Sequence, residues 1–476
     1  MPERDGSAEP LVFDLVIVGG GSGNSIINRE FSHLSIALID DGEHFGGTCL
    51  NAGCIPTKML VHVADVTADA ADAAPLGATI PDAVVDWSAI RHRVFGRTDR
   101  VSEAGFRNRD EKIPNVTVFR ESFRFESLHE LVSTSGLRVH GHRVVIAAGS
   151  RPRELDVDIE PGPDLHDSTS IMRIAELPKS LVILGGGAVA VEFAHVFSAM
   201  GVRVTQVARA PRLLDGLDAD VAAAFTARAA TQWAVVTGAK VRSIDRAEAL
   251  TVRLDTGETI VVSAVLVAVG RVSNTDVLGL GSLGIDLHPD GRIAVDDEQR
   301  VLSDGAPVEG IFALGDVSSA WQLKHVANHE ARVVQHNLLN PENPVGGAPG
   351  PVPAAIFSRP QVAHFGLTER DAPGAVVITR DYSTTAWGWA LEDTSSFCKL
   401  VIDPDTGRLL GAHVIGPEAS TLIQPLVMAA SLGLSVRGLA RSMYWPHPSA
   451  TEIVENALLD AESKLDQIAQ KVSTKV

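Results

Sequence analysis

Two cysteines five positions apart, Cys49 and Cys54 in the segment GGTCLNAGCIPTKML, are the side chains of this 476-residue chain best suited to chemistry. On a regular helix five residues turn the chain by about 500°, which leaves the two side chains on different faces. A disulfide needs its Cα atoms within about 7 Å, so LNAG must be a turn, eased by Gly53. Cys54 then opens a helix, where the dipole favours a thiolate. Such a pair can cycle between disulfide and dithiol. Zinc would need two further ligands, and no partner CxxC or HxxxH motif exists, so no metal is expected. Cys398 lies in a strand-like run with no cysteine near it and reads as a small buried hydrophobe.

The composition narrows what the pair can be for. Three cysteines make no extracellular disulfide framework, and reducing compartments rarely keep structural bridges. A close pair therefore calls for a chemical explanation. The formal net charge of −18 argues against nucleic acid or an anionic membrane surface as partner. The opening MPERDGSAEP carries no apolar signal region and reads as a disordered tail over residues 1–10. No apolar run approaches the roughly 20 residues that span a bilayer, so a cytoplasmic location is expected.

The elements that must position the pair come from an internal duplication. DLVIVGGGSG begins at Asp14 and SLVILGGGAVAVE at Ser180. Each is a short apolar run, read as a buried parallel strand, that empties into glycines and a helical pattern. Later strands close at Gly149 (VVIAAG) and Gly270 (VLVAVG). The segment IFALGD, containing Asp316, reads as a return to the first unit, so the second is inserted in it. The Pro/Gly-rich stretch 343–353 reads as a linker. Beyond it, FCKLVID and GRLLGAHVIG form a hairpin pattern around the turn PDTG, followed by two helical patterns.

Each unit has the parts of a dinucleotide site. In the first, Gly19, Gly21 and Gly23 lie between strand and helix, where backbone amides can approach a pyrophosphate at a positive helix N-terminus. The usual third glycine falls at position 24, which is Asn24. The strand SIALID ends at Asp40, where an acid binds ribose hydroxyls, and Asp41 competes for that role. Asp316 is placed to reach the ribityl chain and pyrophosphate of a flavin. In the second unit Gly185 and Gly187 are followed by Ala190 in the helix-packing position. Where an NADH site would carry an acid, this chain has Ala208, then Arg209 and Arg212, which suits a 2′-phosphate and hence NADPH.

Taken jointly, GGTCLNAGCIPTK, VVIAAGSRP, VAVGRVSN, IFALGD and HPSATE resemble, in order and spacing, the glutathione reductase and dihydrolipoamide dehydrogenase family, across roughly residues 12–460. GSGNSI, MRIAELP, EFAHVFSAMGVRVT, GDVSSAWQLKHVANHEARVVQHNLL and IVENALL resemble the branch that reduces mycothione to mycothiol. The resemblance implies an α/β fold with two Rossmann-like domains, one inserted in the other, and a C-terminal α+β dimerisation domain. It implies FAD on residues 11–155 and 272–342, NADPH on 156–271, and dimer contacts from 351–476. Cys54 would face the flavin and Cys49 the substrate disulfide. His447 would move protons, oriented by Glu452, and would come from the other subunit of a homodimer. Lys58, one helical turn beyond Cys54, would hold positive charge near the flavin, offset by Glu192. Thr48, Gly149 and Gly270 join the glycines above as cofactor-binding positions. An aromatic lid over the nicotinamide often follows the second glycine turn, and here it is Ala188. The rival within the family is an NAD-dependent dihydrolipoamide dehydrogenase, which Ala208 and Arg209 disfavour.

Overall fold

A computed structural model describes residues 9–473, apart from 82, 158, 160, 161, 247–249, 348 and 349. The expected 1–10 tail lies outside those residues except for Glu9 and Pro10. The chain packs as two compact units. One takes in the chain up to Thr57, Ser88–Arg153 and Gly270–Pro349, and the other Lys58–Trp87, Glu154–Val269 and Gly350–Val476.

In the first unit five parallel strands lie side by side: Val116–Phe119, Ile36–Ile39, Leu11–Val18, Arg138–Ile146 and Ala306–Ala313. Their near-continuous apolar sequences fit strands covered on both faces, and Leu15, Val16, Ile17 and Ile36 have no exposed surface. Ile311, Phe312 and Ala313 pair with Val144, Val145 and Ile146. The return of IFALGD to the first sheet is therefore real, and the second nucleotide-binding domain is an insertion. The strand order reverses beside Leu11–Val18, and the glycine turn after it opens at that switch point.

The first unit departs from expectation directly after those glycines. No α-helix follows; the chain makes two short 3₁₀ turns, Gly23–Ile26 and Arg29–Phe31. The reason is length. A strand of eight residues spans about 26 Å, and an α-helix running back along it needs about 17 residues. Only Asn24–Ser35 separates the turn from the next strand. Ile26, Ile27 and Phe31 bury themselves against the sheet in place of a helix face.

The second unit contains a five-stranded parallel sheet ordered Ala234–Thr237, Arg203–Ala208, Ser180–Leu184, Ala264–Val267 and Leu165–Asp167. Here the glycines do lead into a helix, Ala188–Ala199, buried from Ala190 to Phe197. The C-terminal domain is an antiparallel sheet ordered Ala354–Ile356, Val362–Gly366, Leu409–Ile415, Phe397–Ile402 and Val376–Asp381. Helices Ala419–Ser431 and Glu452–Ser473 supply buried residues to its core. Cys398 is fully buried there, which pushes its thiol up to about 12 and leaves it inert at neutral pH. Among the described residues no helix is long and apolar enough to cross a membrane.

Candidate active site

The dithiol sits on two helices that meet at a sharp break. Cys49 lies inside the short helix Gly47–Asn51, and Cys54 is the first residue of Cys54–Ala71. The turn expected over LNAG is therefore narrower than its four residues: Leu50 and Asn51 are helical, and the chain breaks at Ala52, with φ −149° and ψ 21°. Gly53 is required for space. A Cβ there would stand 3.0 Å from the Thr48 carbonyl oxygen and 3.4 Å from the Cys49 Cα. Thr48 itself is exposed, and its carbonyl accepts the Ala52 amide at 2.8 Å.

The two cysteines are not joined by a disulfide. The Cys49 thiol is pushed far above its ordinary value, first by donating a hydrogen bond to Cys54, then by burial; the Lys324 ammonium pulls the other way. Cys54 opens its helix, where the positive end of the helix dipole favours a thiolate.

One turn along from Cys54, Lys58 Nζ meets Glu192 Oε2 at 2.6 Å. The other carboxylate oxygen accepts the Phe357 amide at 2.9 Å, and the ammonium stands 4.7 Å from the centre of the Phe357 ring. Glu192 is buried on the helix Ala188–Ala199. The ion pair fixes the long lysine side chain while leaving it a third exposed.

At the C-terminus, His447 Nδ1 is hydrogen-bonded to Glu452 Oε1. Glu452 is buried and opens the helix Glu452–Ser473, where its negative charge suits the dipole. The histidine side chain is 75% exposed. With Nδ1 engaged by a carboxylate, Nε2 is the nitrogen left to exchange protons.

The first glycine turn fits a dinucleotide. A Cβ on Gly19 would come within 2.2 Å of the Ala147 carbonyl oxygen, and one on Gly47 within 2.6 Å of the Gly21 Cα. Two glycine turns thus meet with no side chain between them, which is the bare backbone cradle a pyrophosphate needs. Gly23 packs against the sheet, where a Cβ would meet Ala147 and Ile17 at 2.8 and 2.9 Å. It takes the packing role expected of position 24. Asn24 is freed to hold Arg109, whose Nε donates to its Oδ1 at 2.7 Å.

Asp40 borders the turn and Asp41 does not. Asp40 accepts the Gly42 and Gly46 amides at 3.1 and 3.0 Å, and burial pushes its carboxyl up against those amides and Arg120. Asp41 instead accepts from Ser122 Oγ at 2.5 Å. Asp316 accepts from Ser150 Oγ at 2.6 Å and lies 3.9 Å from Arg271 Nε. Gly149 and Gly270, with φ of 70° and 119°, flank the short strands Ser150–Pro152 and Arg271–Ser273, which pair where the chain leaves and re-enters the first domain.

In the second glycine turn, a Cβ on Gly185 would meet the Ala268 carbonyl oxygen at 2.2 Å, and Gly187 caps the helix Ala188–Ala199. Arg209 is exposed beyond the end of its strand; Arg212 makes a long contact of 3.4 Å with Asp215. Both guanidinium groups are available to an anion. Ala188 is exposed.

Sequence reading passed over four contributors to this site. Gly20 has no room for a Cβ, which would lie 2.1 Å from Asp40 Oδ2. Gly47 closes the cradle, Phe357 holds Glu192, and Lys324 donates to Ser22 Oγ at 2.9 Å. The first two follow the run of glycines and were within reach of pattern reading; the last two had no local signal.

Comparison with known proteins places these features in company. Residues 13–331 match the family model described as pyridine nucleotide-disulphide oxidoreductase, and 352–458 match that family's dimerisation domain. Mycothione reductase of Mycobacterium tuberculosis is 45% identical over 461 residues, covering 94% of this chain and 99% of its own. Dihydrolipoyl dehydrogenase of Rhizobium etli is 32% identical, covering 95% and 98%. The HOCl-induced flavoprotein disulfide reductase RclA from Escherichia coli superposes with a TM-score of 0.81 at 27% identity, over 94% of this chain and 99% of that one.

Proposed function

The chain belongs to the pyridine nucleotide-disulphide oxidoreductase family, and from that premise we propose that it reduces mycothione to mycothiol with NADPH, working in the cytoplasm as a homodimer. The observation that carries the chemistry is the Cys49–Cys54 pair, hydrogen-bonded and split between two helices so that one sulfur opens a helix. The choice of mycothione rests on 45% identity along nearly the whole chain, against 32% for the dihydrolipoyl dehydrogenase.

In this reading residues 11–155 and 272–342 hold FAD, 156–271 hold NADPH, and 351–476 make the dimer. Gly19, Gly21, Gly23, Asp40, Thr48, Gly149 and Asp316 line the flavin nucleotide site. Gly185, Gly187, Gly270, Arg209 and Arg212 line the other, the two arginines meeting the 2′-phosphate. Held at the first glycine turn by Gly19, Gly21 and Asp40, FAD would supply the two-electron relay between NADPH and the Cys49–Cys54 disulfide. Lys58, held by Glu192, keeps a fixed positive charge beside the relay.

Cys54 carries the negative charge of the reduced pair, and Cys49 attacks the substrate. His447 Nε2 takes the Cys49 proton as a new bond forms between Cys49 and one half of the substrate and the substrate's own S–S bond breaks. The other half leaves as a thiolate and takes a proton from His447 Nε2. Cys54 then attacks Cys49, restoring the intrachain disulfide and releasing the second thiol, which is protonated in turn. Glu452 holds the ring and stabilises the imidazolium. The exposure of His447 beside its buried partner Glu452 supports supply from a second copy. Ala188 leaves the nicotinamide site without a lid at that position.

The test is turnover of mycothione, glutathione disulfide and lipoamide side by side, each with NADPH and with NADH. A clear preference for mycothione and NADPH is expected. A preference for lipoamide with NADH would overturn the substrate and the role of Arg209 and Arg212 together.

A further inference from the structure

The strand Phe397–Ile402 of the C-terminal sheet is buried at every position, and its third residue is a lysine. Cys398, Leu400 and Ile402 face the core shared with the helices Ala419–Ser431 and Glu452–Ser473, so alternation turns Lys399 to the opposite face. There its ammonium lies 2.9 Å from Asp218 Oδ1, 2.9 Å from Asp220 Oδ2 and 2.6 Å from Glu369 Oε2, one carboxylate for each N–H. The side chains of Lys399 and Asp218 are both 2% exposed. Asp218 also caps the helix Ala219–Ala229, accepting the Asp220 amide at 3.1 Å, and it accepts the Glu369 amide at 3.3 Å. Asp218 is where the loop 209–217, which carries Arg209 and Arg212, enters that helix. Leu213 and Leu214 of the loop are buried, and Leu214 has φ 54°, a left-handed backbone that its Cβ disfavours. The Leu214 amide donates to the Gly186 carbonyl of the second glycine turn at 2.8 Å, and the Leu213 amide to Thr226 Oγ1 of the helix at 3.0 Å. A strained residue persists only where its surroundings hold it. The glycine turn holds this loop on one side, and on the other a helix whose first turn is tied to Lys399.

We infer that Lys399 is a positioning residue for nucleotide selection: by anchoring Asp218 it keeps the loop 209–217 in the arrangement that presents Arg209 and Arg212 beside the glycine turn, resting on the reading of those arginines as the ones that meet the 2′-phosphate. Burial alone gives no reason for an ion pair at this place, since well-packed apolar residues would serve stability as well. What the carboxylates add is a fixed direction between the strand and the start of the helix. Little slack separates that anchor from the arginines. The Leu217 amide donates to the Leu214 carbonyl at 2.9 Å, and a Cβ on Gly186 would lie 3.9 Å from the Arg212 carbonyl oxygen. A shift at Asp218 therefore moves the backbone that bears the guanidinium groups. Arginine pairs with phosphate through a fork of N–H groups that needs a set orientation. The ribose diol of NADH makes no such demand on the loop, so a loosened anchor penalises NADPH selectively.

The experiment uses the holoenzyme carrying Lys399→Met together with Asp218→Asn. Asparagine caps a helix as well as aspartate does, and no buried charge is left unpaired. The ratio of kcat/KM for NADPH to that for NADH should fall on the order of tenfold, through the KM for NADPH, with kcat spared. Calorimetric titration should show the same loss for NADP⁺ and an unchanged affinity for NAD⁺. Hydrogen exchange of the peptide 209–217, measured without nucleotide, should quicken. A ratio that stays at the wild-type value, whatever happens to the melting temperature, overturns the inference. Should the double variant not fold, Asp220→Asn with Glu369→Gln takes its place, since those side chains are 63% and 54% exposed. The ratio should then fall several-fold, and an unchanged ratio again overturns the inference. Failure of the underlying reading would look different: Arg209→Ala with Arg212→Ala would leave the ratio unchanged. If that pair lowers the ratio and the Lys399 variant does not, the arginines keep their role and only the anchor is refuted.

Discussion

Mixing two inactive variants tests the most consequential part of the mechanism, the supply of His447 by a second chain. His447→Ala removes the only proton carrier in the proposed oxidative step. General acid–base catalysis contributes about 10²–10⁴-fold, so disulfide turnover should fall by that factor while flavin reduction by NADPH is spared. Cys49→Ser abolishes turnover by removing the nucleophile. The geometry makes the pair separable: Glu452 holds His447 Nδ1 from within its own chain, and the rest of the ring, 75% exposed, faces outward. In a hybrid dimer one site combines the wild-type Cys49 of one chain with the wild-type His447 of the other, and the second site has neither. Random exchange makes about half of the dimers hybrids, each with one working site of two, so about a quarter of wild-type activity should return. The assay is to dissociate and reassociate the two homodimers in equal amounts and measure NADPH oxidation with disulfide. Were His447 to act within its own chain, no hybrid site would be complete and the mixture would stay inactive. That result refutes the reasoning.

Two further outcomes follow from buried groups. Glu192→Leu strands a third-exposed ammonium and the Phe357 amide, and should cost about 3 kcal/mol in urea unfolding of the holoenzyme; Glu192→Gln, which can still accept from Phe357, should cost about 1 kcal/mol. Equal losses would mean that the charge on Glu192 is irrelevant. His364, half-buried on the strand Val362–Gly366 and stacked on His413 at 6.1 Å, is pushed down to about 4 by desolvation, then by His413. Its unfolded form takes up a proton below 6.5, so the C-terminal domain should keep its stability above that pH and lose up to about 3 kcal/mol as pH falls to 4. His364→Gln should flatten that slope in unfolding measured across the range, and an unchanged slope would assign acid sensitivity to other groups.

What could be read from the chain alone was whatever neighbouring residues decide. The strands around Leu11–Val18 and Ser180–Leu184 announce themselves because burial on both faces demands unbroken apolar runs. The Cys49–Cys54 spacing, Cys54 at a helix start, and the His447–Glu452 pair each lie within six residues, so spacing and backbone geometry specify them. The hairpin Phe397–Ile402 with Leu409–Ile415 was legible for the same reason. Misjudged features were local ones overruled by distance constraints. The helix expected after Gly23 gave way to 3₁₀ turns because twelve residues cannot run the length of the sheet, and the dithiol turn shrank to Ala52 and Gly53.

Tertiary structure decided the rest. Lys58 and Glu192 are 134 residues apart, and Lys324 and Ser22 are 302 apart. Neither pairing leaves a trace in local sequence, because each arises when segments far apart in the chain are set side by side by the sheets and cores that carry them. A charged side chain has the same letters whether it faces water or a partner. Its neighbours, and with them the proton affinity of Cys49, exist only once the crossovers have closed. The sequence by itself determined that this protein handles disulfides; only the fold decided which charges stand around the sulfurs that do it.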